Sequence, residues 1–355
     1  MVRAGSGKGR MPERQESLSL IVCTYRRPEA VRSLLQSLDV QTAPPDEILI
    51  IDGSEDTETE TAVRQIGSSG RSAGVSYFRV PPEHRGLTRQ RNYGIARAKA
   101  DIVAFLDDDT VPEVAYFEEI RRCFLRHPEA GGVGGYIAGT RWRRVDPGTR
   151  LRLGMFRCGD WERREDYRWR MRKLLHLDGD SSPGWMPRSG HGRSVTFLPP
   201  DGEDHEVEFM FGGASAWRRA VLERHKFSTF FQGYGLYEDL SFSLQVSRKA
   251  PLFVCTAARL SHRHDAGGRP NSFRYGQMVV RNGWYVWRQR WPQPSARDRL
   301  RWWSITLLLT LCRLVDARHD GLRRGIEEAL GRIVGAAFTV IDAPRLPSSA
   351  AMACE

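Results

Sequence analysis

No stretch of this chain is long and apolar enough to cross a bilayer. The most lipid-like run, Trp302–Cys312 between Arg301 and Arg313, falls well short of the roughly 20 residues that a spanning helix needs. It reads by default as a buried segment, or else as one lying flat on a membrane. Paired cysteines are missing too. The six cysteines are scattered, with no C-x-x-C spacing, which argues against a zinc site and for reduced thiols in a reducing compartment. Residues 1–17 are polar and lack the apolar segment of a signal peptide, so they read as a disordered tail without a secretion signal. There is no internal repeat. Hydrophobic residues make up 40% and charged residues 27% of the 355 positions, which excludes collagen-like and disordered classes and fits one large domain or two smaller ones. Positive charge, by contrast, is in excess. A net charge of +11 and a pI near 9.7 suit nucleic acid, anionic lipid or phosphorylated substrates without choosing among them.

The first third alternates regularly. Apolar runs at Leu18–Thr24, Glu47–Ile51, Val75–Val80 and Asp101–Leu106 read as strands buried on both faces. Between them, Ala30, Val31, Leu34, Leu35 and Leu38 recur at helical spacing, and Thr57–Ile66 and Thr88–Ala100 read as further helices. A β-α-β-α-β-α-β series implies a parallel sheet with helices on both faces, which binds ligands beyond the carboxyl ends of its strands. Three of those ends carry polar groups: Thr24-Tyr25-Arg26-Arg27, Asp52-Gly53-Ser54 and Asp107-Asp108-Asp109. Further on, a helix is expected over Val114–Leu125 and a strand at Gly131–Tyr136. An irregular Arg/Trp-rich stretch over about 140–207 follows, then a helix at Tyr237–Ser247, a strand at Leu252–Thr256 and two late helices at Arg297–Ala317 and Gly321–Thr339.

Asp107-Asp108-Asp109 closes an apolar run, where adjacent carboxylates repel one another as water is excluded. Packing a core does not ask for this, whereas Mg²⁺ or Mn²⁺ takes carboxylate oxygens and offsets their charge. On a strand, Asp107 and Asp109 point the same way; the competing reading is an acidic turn before a helix. Gly86 to Gly94 places Arg89 and Arg91 at a helix start, where arginine can meet a phosphate. Glu238-Asp239 follows a Gly-aromatic loop. One desolvated member of such a pair can accept a proton, and helix-start acids also arise from the dipole alone. His262 and His264, at i and i+2 after a strand, are candidate metal ligands or solvated loop histidines.

Taken in order, these segments resemble the nucleotide-binding half of the family 2 glycosyltransferases, which have the GT-A fold. Ser19–Arg27 looks like that family's first strand and loop, and Ile50–Asp56 like its V-D-D-G-S-x-D. Gly86-Leu87 with Arg91-Asn92-x-Gly94 looks like its G-x-x-x-A-R-N-x-G segment, and Leu106–Asp109 like its D-x-D motif. Phe211–Arg219 is similar to the segment that walls the sugar site, and Gly233–Ser241 to the E-D motif. The likeness covers about Leu18 to His264. It departs at Ile51, where a second acid is usual, and at Ser241 and Gln245, where Asp and Arg are frequent. A Q-x-x-R-W motif with flanking spans is absent, which points to single addition rather than processive synthesis.

The resemblance implies an α/β GT-A fold, a Rossmann-like and mostly parallel sheet flanked by helices, with a C-terminal helical extension. The expected divisions are the tail at 1–17, a nucleotide-sugar-binding half at 18–135, an irregular insertion at 136–206, an acceptor and catalytic half at 207–270, and C-terminal helices at 271–345. It implies inverting transfer of one sugar from a nucleotide diphosphate sugar to a hydroxyl of a glycan, lipid-linked or small-molecule acceptor. Thr24, Tyr25, Arg27, Asp52, Arg91, Asp107, Asp108 and Gly213 would serve the donor, with Thr24, Tyr25 and Asp52 on base and ribose and Arg91 on the phosphate side. Asp109, with His262 or His264, would hold Mg²⁺ or Mn²⁺; Asp108 would be a tolerant spacer. Asp239 would take the acceptor proton, and Glu238 would orient the acceptor or a helix end. The basic stretches from Arg141 to Arg172 and the C-terminal helices would shape the acceptor site, either as a solvated face or resting on an anionic membrane. That places the protein in the cytoplasm, free or peripheral at the inner face of the cell membrane, with no nucleic-acid partner. A sugar-phosphate nucleotidyltransferase is the alternative, disfavoured because Tyr25-Arg26-Arg27-Pro28 is not a Gly-rich loop. A non-catalytic nucleic-acid or lipid-binding protein is the other.

Overall fold

The computed structural model describes residues 16–68, 74–146, 148–179, 181–263 and 270–346. The alternation runs through β1 (Leu18–Thr24), α1 (Pro28–Leu38), β2 (Glu47–Asp52), α2 (Glu58–Ser68), β3 (Val75–Arg79), α3 (Leu87–Ile95) and β4 (Ile102–Asp107). Next come β5 (Thr110–Pro112), α4 (Tyr116–Arg126) and β6 (Gly132–Ile137). The middle holds β7 (Arg143–Arg144), β8 (Met155–Cys158), β9 (Trp161–Arg164), α5 (Tyr167–Leu174) and β10 (Asp204–Val207). The last part holds β11 (Ala214–Arg218), α6 (Arg219–Arg224), α7 (Glu238–Val246), β12 (Leu252–His262), α8 (Ser272–Arg290), α9 (Ala296–Asp320) and α10 (Leu322–Ile341).

The main sheet has the order β10-β12-β6-β11-β4-β1-β2-β3, with β5 paired to β12. β3, β2, β1 and β4 are parallel, as expected. β11 then runs antiparallel to both β4 and β6, so the sheet becomes mixed beyond β4. The register sets Thr24 beside Asp52 and Cys23 beside Asp107, which places the three polar strand ends on one edge.

Both sheet faces are buried, and for that reason the strands read as unbroken apolar runs. Leu20, Val22, Ile50, Ala104 and Leu106 face α1 and α4, while Ile21, Leu49, Ile51, Val103 and Phe105 face α3, α6 and α7. A third cluster joins Phe231 and Leu244 to Trp284, Tyr285 and Trp287 of α8 and to Trp302 of α9. The Trp287 and Trp302 rings stack with centroids 5.6 Å apart, and Trp287 Nε1–H donates to the carbonyl of Arg188 at 2.8 Å.

Several expectations change. The stretch read as irregular contains the sheet β7-β9-β8 and helix α5; its strands have only two to four residues, too few to show a period. The expected strand at Leu252–Thr256 continues to His262, past a register irregularity between Cys255 and Arg259 that breaks its alternation. The C-terminal helices expected at 271–345 include α8, a helix that the sequence pattern does not delimit. Ser17 is tied down: its N–H and Oγ–H donate to Asp101 at 3.1 and 2.8 Å. Residues 1–15 of the expected tail lie outside the described residues. No helix among the described residues is long and apolar enough to cross a membrane.

α8 and α10 touch backbone to backbone. A Cβ on Gly331 would fall 2.0 Å from the Phe273 carbonyl oxygen, and one on Gly276 would fall 2.1 Å from that of Glu328. Backbone cannot rotate aside, so Gly331→Val forces the helices apart. The expected cost is about 1–3 kcal/mol, read as a lower denaturation midpoint; an unchanged midpoint would contradict this close packing.

Candidate active site

One cavity of about 1270 Å³ opens at the carboxyl edge of β1 and β4. Thr24, Tyr25, Arg27, Arg91, Asp107, Asp108, Asp109, Gly213, Glu238, Asp239 and His262 all line it. β4 ends at Asp107, and the chain turns through Asp108 and Asp109 before β5. The strand alternation expected for Asp107 and Asp109 is therefore replaced by a turn, which sends the three carboxylates to three different places.

Asp107 stays half-exposed in the cavity, 3.7 Å from Arg91. The backbone opposite leaves room for it, since a Cβ on Gly213 would lie 2.1 Å from its carboxylate. Asp109 is buried, with Oδ1 2.9 Å from His262 Nε2. Asp108, expected to be a tolerant spacer, is instead buried and anchored. Its Oδ2 accepts from Thr24 Oγ1–H at 2.7 Å, and its Oδ1 accepts from Arg27 Nη1 at 2.8 Å. Burial pushes the Asp108 carboxyl up to about 6, against the pull of Arg27 and Thr24. Thr24 and Arg27 thus hold the acidic turn in place.

Asp107, Asp109 and His262 can each aim one ligand atom at a common point, the atoms lying within 4.8 Å of one another. Two hard carboxylate oxygens and an imidazole nitrogen, open to the cavity on the Asp107 side, suit a divalent cation such as Mn²⁺ or Mg²⁺. β12 owes this role to its extension, because β5 pairs with it at Thr110–His262. His264 lies outside the described residues.

Arg91, expected on the phosphate side, lines the cavity with its guanidinium engaged by an internal partner. It is buried, and its Nη1 pairs with Glu238 Oε1. Its guanidinium lies over the Phe105 and Phe227 rings, 5.5 and 5.1 Å from their centroids. Burial pulls Arg91 down, but Glu238 and Asp107 outweigh it and hold the guanidinium above its usual range. Burial pushes Glu238 up, opposed by Arg91. A Cβ on Gly212 would fall 2.8 Å from Glu238 Oε1, so glycine there admits the pair. Glu238 therefore closes an internal ion pair.

Asp239 is the member of the pair that remains usable. It is half-buried; Oδ2 accepts from Gly212 N–H at 3.1 Å and Oδ1 from Leu240 N–H at 2.8 Å. Burial raises its pKa above the ordinary value, countered by the Gly212 amide and by Arg91. Tyr237, just before it, sits at φ 69°, and Asn282 Nδ2–H donates to the neighbouring Leu236 carbonyl at 2.9 Å. That backbone turn aims α7 at the cavity.

Asp52 does not reach the cavity. It is fully buried: Oδ1 accepts from Ser54 N–H and Oγ–H at 2.8 and 2.6 Å, and Oδ2 from Tyr77 O–H at 2.7 Å. It shapes the turn after β2. Gln90 went unnoticed in the sequence; its Nε2 donates to the carbonyls of Thr24 and Ile51 at 3.0 and 2.8 Å, clamping two strand ends. The cavity also extends between Arg168, Trp169 and Arg172 of α5 and Val286, Trp287 and Trp302 of the C-terminal helices. Burial pushes His191 in this limb down to about 3, so it is a neutral imidazole, 3.1 Å from Thr306 Oγ1.

Four parallel strands, a reversed β11 and an acidic turn at the carboxyl edge define a GT-A fold, the architecture of a class of sugar-transferring enzymes. Within it, residues 19–189, just under half of the chain, match the family model described as glycosyl transferase family 2. A glucosyl-dolichyl phosphate glucuronosyltransferase of Haloferax volcanii is 28% identical over 123 residues, 34% of this chain and 38% of that one. EpsH of Bacillus subtilis, whose name calls it a glycosyltransferase, is 33% identical over 107 residues, 30% of each chain. The matches thus span about a third of these relatives. A solved mannosyltransferase from Pyrobaculum calidifontis superposes with a TM-score of 0.53 at 14% identity, over 94% of this chain and 89% of that one, which is a likeness of fold.

The buried pair yields a direct test. Arg91→Met leaves Glu238 buried without its cation and should cost about 3–5 kcal/mol in chemical denaturation. Arg91→Met with Glu238→Gln removes both charges and should recover part of that loss. A double variant as unstable as the sum of the singles would mean that the two side chains act independently.

Proposed function

We propose that this protein transfers one sugar from a nucleotide diphosphate sugar to an acceptor hydroxyl, with inversion at the anomeric carbon. The observation that carries this is the meeting of Asp107, Asp109, His262 and Asp239 in one cavity at the strand edge. Tyr25, 39% exposed at the rim, is placed to stack on the nucleobase. Asp107, Asp109 and His262 would hold Mn²⁺ or Mg²⁺, which when bound supplies positive charge against the diphosphate leaving group. Supporting this, the Pyrobaculum structure is a complex with GDP-Man and Mn²⁺.

The residues of this chain divide the remaining work. Asp239 accepts the proton of the acceptor hydroxyl while its oxygen bonds to the anomeric carbon and the bond to the diphosphate breaks. The amides of Gly212 and Leu240 fix the orientation of the Asp239 carboxylate. Arg91 and Glu238 set the depth of α7, and thereby the position of Asp239. Residues 18–135 serve the donor. Segments of 136–206 and 271–345 wall the acceptor side, where Trp169, Val286, Trp287 and Trp302 suit an acceptor with apolar surface. A lipid-linked acceptor fits such walls, and the Haloferax relative is named for a dolichyl phosphate compound.

Asp239→Asn should keep nucleotide-sugar binding in calorimetry and lower transfer by about 10²–10⁴-fold. Transfer at the wild-type rate would remove Asp239 as the base. The base must be deprotonated, so activity should fall as pH drops through its raised pKa. The acid limb of the kcat profile should therefore lie above the ordinary aspartate range and vanish in the Asn variant. EDTA should abolish release of nucleoside diphosphate from UDP-, GDP- or dTDP-sugars, and added Mn²⁺ or Mg²⁺ should restore it.

A further inference from the structure

α9 and α10 form an antiparallel hairpin around Gly321, which sits at φ 98°. Each helix has a packed inner face. α9 turns Trp302, Ile305 and Cys312 inward, and α10 turns Gly325, Glu328 and Gly335 inward. Across the hairpin, Arg313 Nε donates to Glu328 Oε2 at 2.7 Å. A helix on a water-exposed surface is normally polar on its outer face. Here both outer faces are apolar. Leu307, Leu311 and Leu314 follow helical spacing on α9, as do Ile326, Leu330 and Ile333 on α10. Leu307 is 60% exposed, Leu311 52% and Ile333 56%. About half of the exposed large apolar side chains of the described residues lie on these two helices. Surface of this kind marks something that covers it.

The surrounding charge identifies what covers it. Arg297 and Arg299 begin α9 and Arg345 follows α10, at one end of the hairpin; Arg318 and Arg324 flank the turn at the other. All five are exposed and make no ion pair among the described residues. Three of the acids nearby are engaged: Asp298 accepts from Ser295 O–H, Asp316 accepts from Tyr167 O–H and pairs with Arg168, and Glu327 pairs with Arg323, while Asp342 is exposed after α10, leaving arginine in excess. A second copy seated here by two-fold symmetry would bring arginine toward arginine. An anionic bilayer matches both chemistries: apolar side chains enter the acyl boundary and guanidinium groups reach the headgroups. The inner side of α9 supplies Trp302 and Leu309 to the cavity, so one helix links the outer face to the acceptor limb.

We propose that the outer faces of α9 and α10 seat this protein on an anionic membrane surface, with the cavity beside the bilayer. This interaction is independent of sugar transfer. The full chain is floated with vesicles of phosphatidylcholine, or of phosphatidylcholine mixed with phosphatidylglycerol. It should float with the mixed vesicles, and added salt should weaken this. Leu307→Asp with Leu311→Asp should lower the bound fraction by about tenfold or more without shifting the melting curve. Arg297→Gln, Arg299→Gln, Arg318→Gln and Arg324→Gln together should abolish the preference for anionic vesicles. Absence of flotation, or equal flotation of the leucine variant, overturns the proposal. So does a dimer in sedimentation velocity that Leu307→Asp dissolves, since a second copy then covers the face. Nucleotide-sugar binding measured on the same samples should be unchanged in every variant, which separates failure of membrane docking from failure of the transferase reading.

Discussion

The ion pair between Arg91 and Glu238 is the constraint on which the rest of the site depends. It joins α3, from the first half of the chain, to α7, from the second. Burying two charges costs several kcal/mol per ion unless they meet at close range and find further partners. Arg91 has such partners in Asp107 and in the Phe105 and Phe227 rings. The rest of α3 follows the same line. Asn92 exchanges hydrogen bonds with the backbone of Phe227, and Thr88 donates to the Phe231 carbonyl. α3 is thus a clip between halves, and Asp107 and Asp239 face one cavity because the clip closes.

The acidic turn shows how one motif separates into three environments. Asp107, Asp108 and Asp109 have the same chemistry and adjacent positions. The turn after β4 gives Asp107 water, gives Asp108 a buried cradle of Thr24 and Arg27, and gives Asp109 a histidine from β12. The anchored middle carboxylate lets its two neighbours converge: with Asp108 fixed to the loop after β1, the turn cannot swing away from the edge. Glycines at 212 and 213 complete the fit, since a side chain there would occupy the space of Arg91, Glu238 and Asp107.

The strand-helix alternation through Asp107, the shared edge of the polar strand ends and the carboxylates Asp107, Asp109, Glu238 and Asp239 that line one cavity were legible in the residues. Each is a local signal, a period or a short motif. Asp52 and Arg91 were visible as motif members, but their neighbours come from Tyr77 and Glu238, far along the chain. The short strands β7 to β9 carry too few residues for a period, and the irregularity in β12 hid the strand that carries His262.

By itself, then, the sequence determined the alternation of elements, the edge at which chemistry collects and the residue types gathered there. These follow from backbone periodicity and from the short-range preferences of Gly, Asp and apolar side chains. Tertiary structure alone decided which carboxylate is half-exposed in the cavity and which are buried, that Arg91 pairs with Glu238, and that two late helices turn leucines outward. Those outcomes depend on distances between residues remote in the chain, and on the balance of desolvation against pairing, which exists only once the halves are packed together.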